Sequence, residues 1–200
     1  MSAGDIQPVI RDLVGMAEFH AAEDLQRDVW GPDDKIDPGD LMMVIQVEGG
    51  LAAGAFVGDR LIGYVFAFPT TTPGVQHSHR LAVRAEARGL GLGLKLKLYQ
   101  ADWCLRRGIR HVRWTYDPLR LPNAALNIAR LGATAATYHR DYYGAMGGIN
   151  AGTASDRLLV DWRLDGERYA RCRAGTAMLS VAEAAAAHRI ALPADFGGLL

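Results

Sequence analysis

The segment that most constrains this chain is Arg88-Gly89-Leu90-Gly91-Leu92-Gly93. A strand-like run, His79 to Val83, precedes it, and a long helical run ending at Gly108 follows. A strand, a glycine turn and a helix in that order point the unpaired N–H groups of the helix start, and the positive end of its dipole, at one spot. Arg88 adds a permanent charge at the rim. The pattern predicts a cradle for a diphosphate; the competing expectation is a glycine turn that only joins strand to helix.

Spacing excludes two common nucleotide loops. A dinucleotide fingerprint places two residues between its second and third glycines, and here Leu92 alone separates Gly91 from Gly93. A P-loop continues Gly-Lys-Ser/Thr, whereas Gly93 is followed by Leu94-Lys95-Leu96. The spacing Arg-x-x-Gly-x-Gly, entered from Leu81-Ala82-Val83, instead resembles the pyrophosphate motif of the GNAT superfamily of acyl-CoA-dependent N-acyltransferases.

Composition narrows the partners. Lys+Arg and Asp+Glu both number 22, and no block of like charge occurs, which argues against nucleic acid or a membrane as partner. Half the residues are hydrophobic, as in an ordinary globular chain. Cys104 and Cys172 form neither a disulfide framework nor a metal spacing, so the expectation is a cytoplasmic protein without a metal. Met1 to Pro8 lacks the features of a signal peptide, and no run is long enough to span a bilayer.

In chain order, the pattern predicts a short strand at Ile6 to Ile10 and a helix capped by Asp12. That helix carries a stripe of Val14, Ala17, Ala21, Leu25 and Val29, with Glu18, Glu23 and Asp24 on a solvated face. A second helix follows Asp37-Pro38-Gly39-Asp40, with Asp37 as its capping acid. Met42 and Met43 are expected in the core or lining an acceptor pocket. Leu51 to Val57 and Leu61 to Phe68 form a hairpin, with Tyr64, Phe66 and Phe68 on one face. A strand from Val75 to Val83 leads into the glycine turn. The next run shows two helical stripes, Leu94-Leu98-Ala101-Leu105 and Leu92-Leu96-Tyr99-Trp103. Ile109 to Tyr116 alternates as a strand, Asn123 to Leu131 reads as a short helix, and Thr134 to Tyr143 and Arg157 to Leu164 are the last strands. Beyond them, Arg168 to Met178 reads as helix, Ser180 with Glu183 forms a capping box, and Ile190 to Phe196 is a candidate edge strand. The order β-α-α-β-β-β-α-β-α-β-β resembles the GNAT fold: α/β (α+β), a central mixed, mainly antiparallel sheet flanked by helices and splayed between the fourth and fifth strands. The expected domains are an acyltransferase domain, residues 1–167, and an extension, 168–200, that packs on it or forms a homodimer contact.

Carried over by position, the resemblance implies main-chain contacts from Leu81, Ala82 and Val83 to pantetheine, and a diphosphate held by Arg88, Gly89, Leu90, Gly91, Leu92 and Gly93. The co-substrate is then acetyl-CoA or another acyl-CoA. His77 and His79 lie two apart, so on a strand they share a side, and histidine is suited to deprotonating an ammonium near neutral pH. The run His-x-His-x-Leu-Ala-Val resembles arylalkylamine N-acetyltransferases, which implies His79 as base, with His77 beside it. Arg80 is expected to point the other way. The family's usual helix reads Asn…Tyr-x-x-Leu-Gly-Phe; here Asn123 and Leu131-Gly132 fit, but Ile128 takes the place of the tyrosine acid. The substitutes are Tyr138, Tyr142 or Tyr143, or a CoA thiolate released without a protein acid, and Asn127 joins Asn123 as a candidate ligand for pantetheine or substrate. The stretch from Trp114 to Arg157 also resembles a branch linked to N-succinylamino-acid metabolism, with Arg140 or Arg157 as carboxylate partners. The expectation is direct transfer of an acetyl or succinyl group to a small-molecule amine such as an amino acid. The alternatives are an acyl-CoA-binding sensor without catalysis and an unrelated α/β protein with a structural glycine turn.

Overall fold

A computed structural model describes residues 7–145 and 154–176. They fall into two compact units, residues up to Trp114 and residues from Thr115 onward. The first unit holds β1 (Val9–Asp12), α1 (Gly15–Trp30), α2 (Gly39–Val47), β2 (Leu51–Val57), β3 (Arg60–Pro69), β4 (Val75–Val83), α3 (Leu92–Arg106) and the start of β5 (His111–Tyr116). Strands β1 to β5 lie side by side in sequence order. The first three pairings are antiparallel and β4–β5 is parallel, so the sheet is mixed and mainly antiparallel as expected.

Helices α1 and α2 share one face of this sheet. Their core joins Phe19, Ala22, Leu25 and Met42 to Phe56, Tyr64 and Phe66. The stripe expected for α1 is therefore rotated: Phe19, Ala22, Leu25 and Gln26 are buried, while Val14 is 70% exposed. Asp12 does not cap α1. It ends β1 and accepts a hydrogen bond from the Tyr99 hydroxyl at 2.8 Å. Glu18 does the capping instead, taking the Val14 N–H at 2.8 Å from inside the first turn. It also holds Arg11 through two 2.7 Å bonds, and this pairing sets its carboxyl below the usual range. Nor is Glu23 simply solvated, since it accepts the Gly39 N–H at the start of α2 at 2.6 Å.

Helix α3 lies on the opposite face. Its buried residues are Leu92, Leu96, Lys97, Gln100, Ala101, Trp103 and Cys104. The buried stripe thus runs through the second expected one but includes two polar side chains that apolar counting passes over.

Two irregularities in β4 shape everything that follows. Opposite β3, Phe66 faces Arg80 but Ala67 faces Ser78, so His79 is an extra residue and β4 carries a bulge there. The bulge flips the side-chain alternation. Gln76 and Ser78 face α3, whereas Arg80 and Ala82 face α1. On its other edge β4 pairs with β5 only at Val75–His111, Gln76–Val112 and His77–Arg113. Past that pair the strands part, as the expected splay requires.

The second unit holds α4 (Leu121–Ala124), which continues as a π-helical turn (Ala125–Arg130), then β6 (Thr134–His139), β7 (Arg157–Arg163) and α5 (Glu167–Arg173). β6 and β7 pair antiparallel. The π-turn is visible in the Leu131 N–H, which bonds the Leu126 carbonyl five residues back at 3.0 Å. α5 is shorter than the expected 168–178 helix. Ser180, Glu183 and Ile190 to Phe196 lie outside the described residues.

Gly54 shows how tightly the α1 side is packed. A Cβ there would meet Leu61 at 2.4 Å, Phe56 at 2.7 Å and Leu13 at 2.9 Å. Gly54→Ala is expected to destabilise the fold by about 1–3 kcal/mol through overpacking. Thermal unfolding checks this, and an unchanged Tm would contradict it.

Candidate active site

The glycine turn is open. After a 3-10 turn (Ala85–Ala87), Gly89 and Gly91 adopt φ of +84° and +69°, left-handed values that favour glycine, and a Cβ at either would meet nothing within 4 Å. Gly91 is the N-cap of α3 and has no side chain to offer the helix start. The first N–H groups of this 15-residue helix therefore have no side-chain cap from Gly91 and no intrahelical partner. Arg88 is exposed and has no ion-pair partner among the described residues. Leu90 is exposed, and Leu92 is buried beneath the turn.

Leading back from this turn, Val83, Ala82 and Leu81 pair with Gly63, Tyr64 and Val65 on the β3 side. Their β5 side has no strand partner among the described residues, because the ladder ends at His77. From Ser78 to Val83 this free edge runs about 17 Å at the rise of a strand.

Where the edge meets the fork, His77 and His79 share the α1–α2 face, with ring centroids 6.1 Å apart. Phe68 stacks on His77 at 4.8 Å and leans on His79 at 5.4 Å. Burial, reinforced by the charges of His79, Lys97 and Arg113, lowers the His77 pKa to about 4, so His77 is neutral at physiological pH. His79 is different: a third of its side chain is exposed, and Nε2 lies 3.2 Å from Asp37 Oδ1. Asp37 does not cap α2; Pro38 occupies the N-cap and no side-chain cap bond forms. Its carboxylate turns to His79 and also lies 3.1 Å from Arg80 Nε. Arg80 further bonds Asp34 at 3.1 Å and the Lys35 carbonyl, and stacks on Trp30 at 4.7 Å. The expectation that Arg80 points away from the histidines fails because the His79 bulge brings it to their side. Gln26, fully buried, fixes the Asp37 backbone from both sides, donating to its carbonyl at 3.1 Å and accepting its N–H at 2.7 Å. An open groove of ≈ 310 Å³, lined by Ile45, Glu48, Phe68 and Pro69, adjoins this cluster through Phe68.

The opposite face holds a buried polar group. Lys97 Nζ donates to Ser78 Oγ at 2.7 Å and to Gln100 Oε1 at 3.2 Å, and lies 3.7 Å from the centre of the Trp114 ring. Gln100 also accepts from Ser78 at 3.1 Å and donates to Gln76 Oε1 at 2.8 Å, which takes the Cys104 thiol as well. Burial lowers the Lys97 pKa to about 7 and raises that of Cys104 to about 12.

The remaining expected residues belong to the second unit. Asn127 is buried in the π-turn and Asn123 is exposed. The Tyr138 hydroxyl bonds Asp156, and that bond raises its pKa above the ordinary phenol value. Tyr143 Oη lies 3.1 Å from Thr115 Oγ1, with Arg157 over its ring at 5.2 Å. Sequence reading missed Asp37, Gln26, Ser78 and Lys97. The available signal was the spacing of Lys97, Gln100 and Cys104, a polar line inside the apolar arc of α3.

Comparison with known proteins agrees with this geometry. The family model described as the acetyltransferase (GNAT) family matches residues 16–132. Among solved structures, the ribosomal-protein-S18-alanine N-acetyltransferase of Escherichia coli superposes with a TM-score of 0.64 at 18% identity, over 80% of this chain and 97% of that one. An N-acetyltransferase from Staphylococcus aureus Mu50 gives 0.65 at 14% identity, over 79% and 99%. A phosphinothricin acetyltransferase from Sinorhizobium meliloti, solved in complex with AcCoA, gives 0.62 at 18% identity, over 78% and 87%. No curated protein matches the chain by sequence.

The depressed pKa of His77 makes an acid-sensitivity test. Its folded value of about 4 lies below the ordinary 6.5, so the unfolded chain takes up the proton first as pH falls. Its contribution to stability is complete above the ordinary value and is lost progressively down to the folded one. Tm measured across that window is expected to fall less steeply in His77→Gln than in the wild type; equal slopes would contradict the assignment. Gln26→Ala, which strips two bonds from the part-buried Asp37 backbone, is expected to cost about 1–3 kcal/mol in denaturant unfolding.

Proposed function

This chain belongs to the acetyltransferase (GNAT) family, and on that premise we propose that it transfers an acyl group from acetyl-CoA to the primary amine of a small molecule by direct attack. The observation that carries the reading is the free β4 edge, which runs from the glycine turn to the fork and ends beside the His79–Asp37 pair. The cofactor's diphosphate sits on the N–H groups of the glycine turn and α3, with Arg88 as a flanking charge. Pantetheine adds to the free edge along Leu81, Ala82 and Val83 as an extra strand. That path delivers the thioester to the fork.

His79 removes the proton from the incoming ammonium, directly or through one water, because it is the partly exposed histidine and Asp37 holds its ring. Neutral His77, stacked on Phe68, shapes the wall beside it. The amine enters by the groove of Ile45, Glu48, Phe68 and Pro69. Glu48, the acidic residue of its lining, attracts the ammonium. An amino-acid acceptor, or a succinyl donor, also needs a cation for its carboxylate. Arg113 suits this better than Arg140 or Arg157, since it pairs with His77 at the last rung before the fork. Support for the sensor alternative is limited to Ile128 standing where the family's usual tyrosine would be.

Acetyl-CoA is expected to raise Tm, and thiol release from acetyl- or succinyl-CoA is expected only in the presence of an amine from a panel. A Tm shift without amine-dependent thiol release would favour the sensor, and no shift with any CoA ester would end both readings. His79→Ala is expected to lower the rate near neutral pH by on the order of 10²-fold while the acetyl-CoA shift persists. Asp37→Asn should lower the rate less, and wild-type rates in both variants would remove the base assignment.

A further inference from the structure

The buried cluster on the α3 face has no place in the steps above, yet it sits at the fork. The β4–β5 ladder ends at His77–Arg113, and the next residues in register are Ser78 and Trp114. These are the two residues that Lys97 touches: its ammonium donates to Ser78 Oγ at 2.7 Å and covers the Trp114 ring at 3.7 Å. Lys97 is only 3% exposed, and its hydrogen-bond partners among the described residues, Ser78 and Gln100, carry no charge. An isolated ion in such a place is costly unless something compensates it. Its neighbours compensate with dipoles and an aromatic face and leave the positive charge unneutralised. At the first unpaired position of the cofactor's path, the fold has therefore placed a hydroxyl backed by a cation.

We propose that Ser78 and Lys97 form the proton relay that discharges the departing CoA thiolate, in the role left open by Ile128. The inference rests on the acyl-transfer reading. As the acceptor nitrogen bonds to the thioester carbon, the C–S bond breaks and its electron pair stays on sulfur. Sulfur takes the Ser78 hydroxyl proton, Ser78 takes one from Lys97 Nζ, and the neutral amine regains its proton from solvent after CoA leaves. The acceptor's own proton departs on the other face of the sheet, to His79. Burial favours this direction of transfer, since an ammonium whose pKa is about 7 gives its proton readily to a thiolate of ordinary basicity. Gln100 holds both partners, accepting from Ser78 at 3.1 Å and from Lys97 at 3.2 Å, so it acts as a positioning residue.

The test compares Ser78→Ala, Lys97→Met, Lys97→Arg and the double variant S78A/K97M in amine-dependent thiol release from acetyl-CoA. Each single loss is expected to lower kcat by on the order of 10²-fold, with KM for acetyl-CoA and its Tm shift unchanged. The double variant should lose little more than either single one, because the two residues act as a unit. Lys97→Arg keeps the charge but holds its protons too tightly to release one, and it should not restore kcat. Wild-type kcat in Ser78→Ala, or in Lys97→Arg, would overturn the relay, and so would additive losses in the double variant. Should Lys97→Met fail to fold, Ser78→Ala alone decides, since it removes one oxygen. Absence of thiol release by the wild-type chain with every amine would overturn the acyl-transfer reading itself; wild-type turnover with unaffected variants overturns the relay alone.

Discussion

Three residue pairs hold β4 to β5, and the proposed acyl transfer depends on there being no fourth. A parallel ladder that continued would bury the second edge of β4 and leave no backbone for a ligand to pair with. Because it stops, the edge between Ser78 and Val83 keeps donors and acceptors that nothing in β5 satisfies. The same strand then runs into the glycine turn, so one continuous main-chain track joins that turn to the fork. On its other edge β4 pairs with β3 from Gln76 to Val83, interrupted only by the His79 bulge.

The bulge at His79 is the second determinant. In a regular strand Arg80 would face α3, and Asp37 would have only one partner on β4. The extra residue sends His79 and Arg80 to the same face, where Asp37 meets both and Gln26 fixes Asp37. The two sides of the fork then differ in kind. One carries histidines, aromatic rings and carboxylates suited to receiving a proton from an amine. The other carries a buried ammonium and a hydroxyl suited to giving one.

How much of this could be read from residues alone follows from what each signal encodes. The hairpin, β4 and α3 were legible because alternation, glycine turns and a basic-then-glycine stop are local. The open glycine turn was legible for the same reason, since Arg88 to Gly93 is contiguous. Asp37 was misread as a helix cap because an acid before Pro-Gly looks like one; its partners His79 and Arg80 lie more than 40 residues away. The orientation of Arg80 depended on a bulge that no local pattern announces. Lys97 was lost among leucines because hydrophobic counting treats a polar residue on a buried arc as an interruption.

The central claim is that an acyl-CoA lies along β4 from the glycine turn to the fork. Amide hydrogen exchange with and without acetyl-CoA tests it most directly. The account expects slowed exchange at the edge-facing amides between Ser78 and Val83 and at those of Gly89 to Leu94, with the β2–β3 hairpin unchanged. Protection confined to the turn, with the β4 edge exchanging as fast as in the free protein, would contradict it.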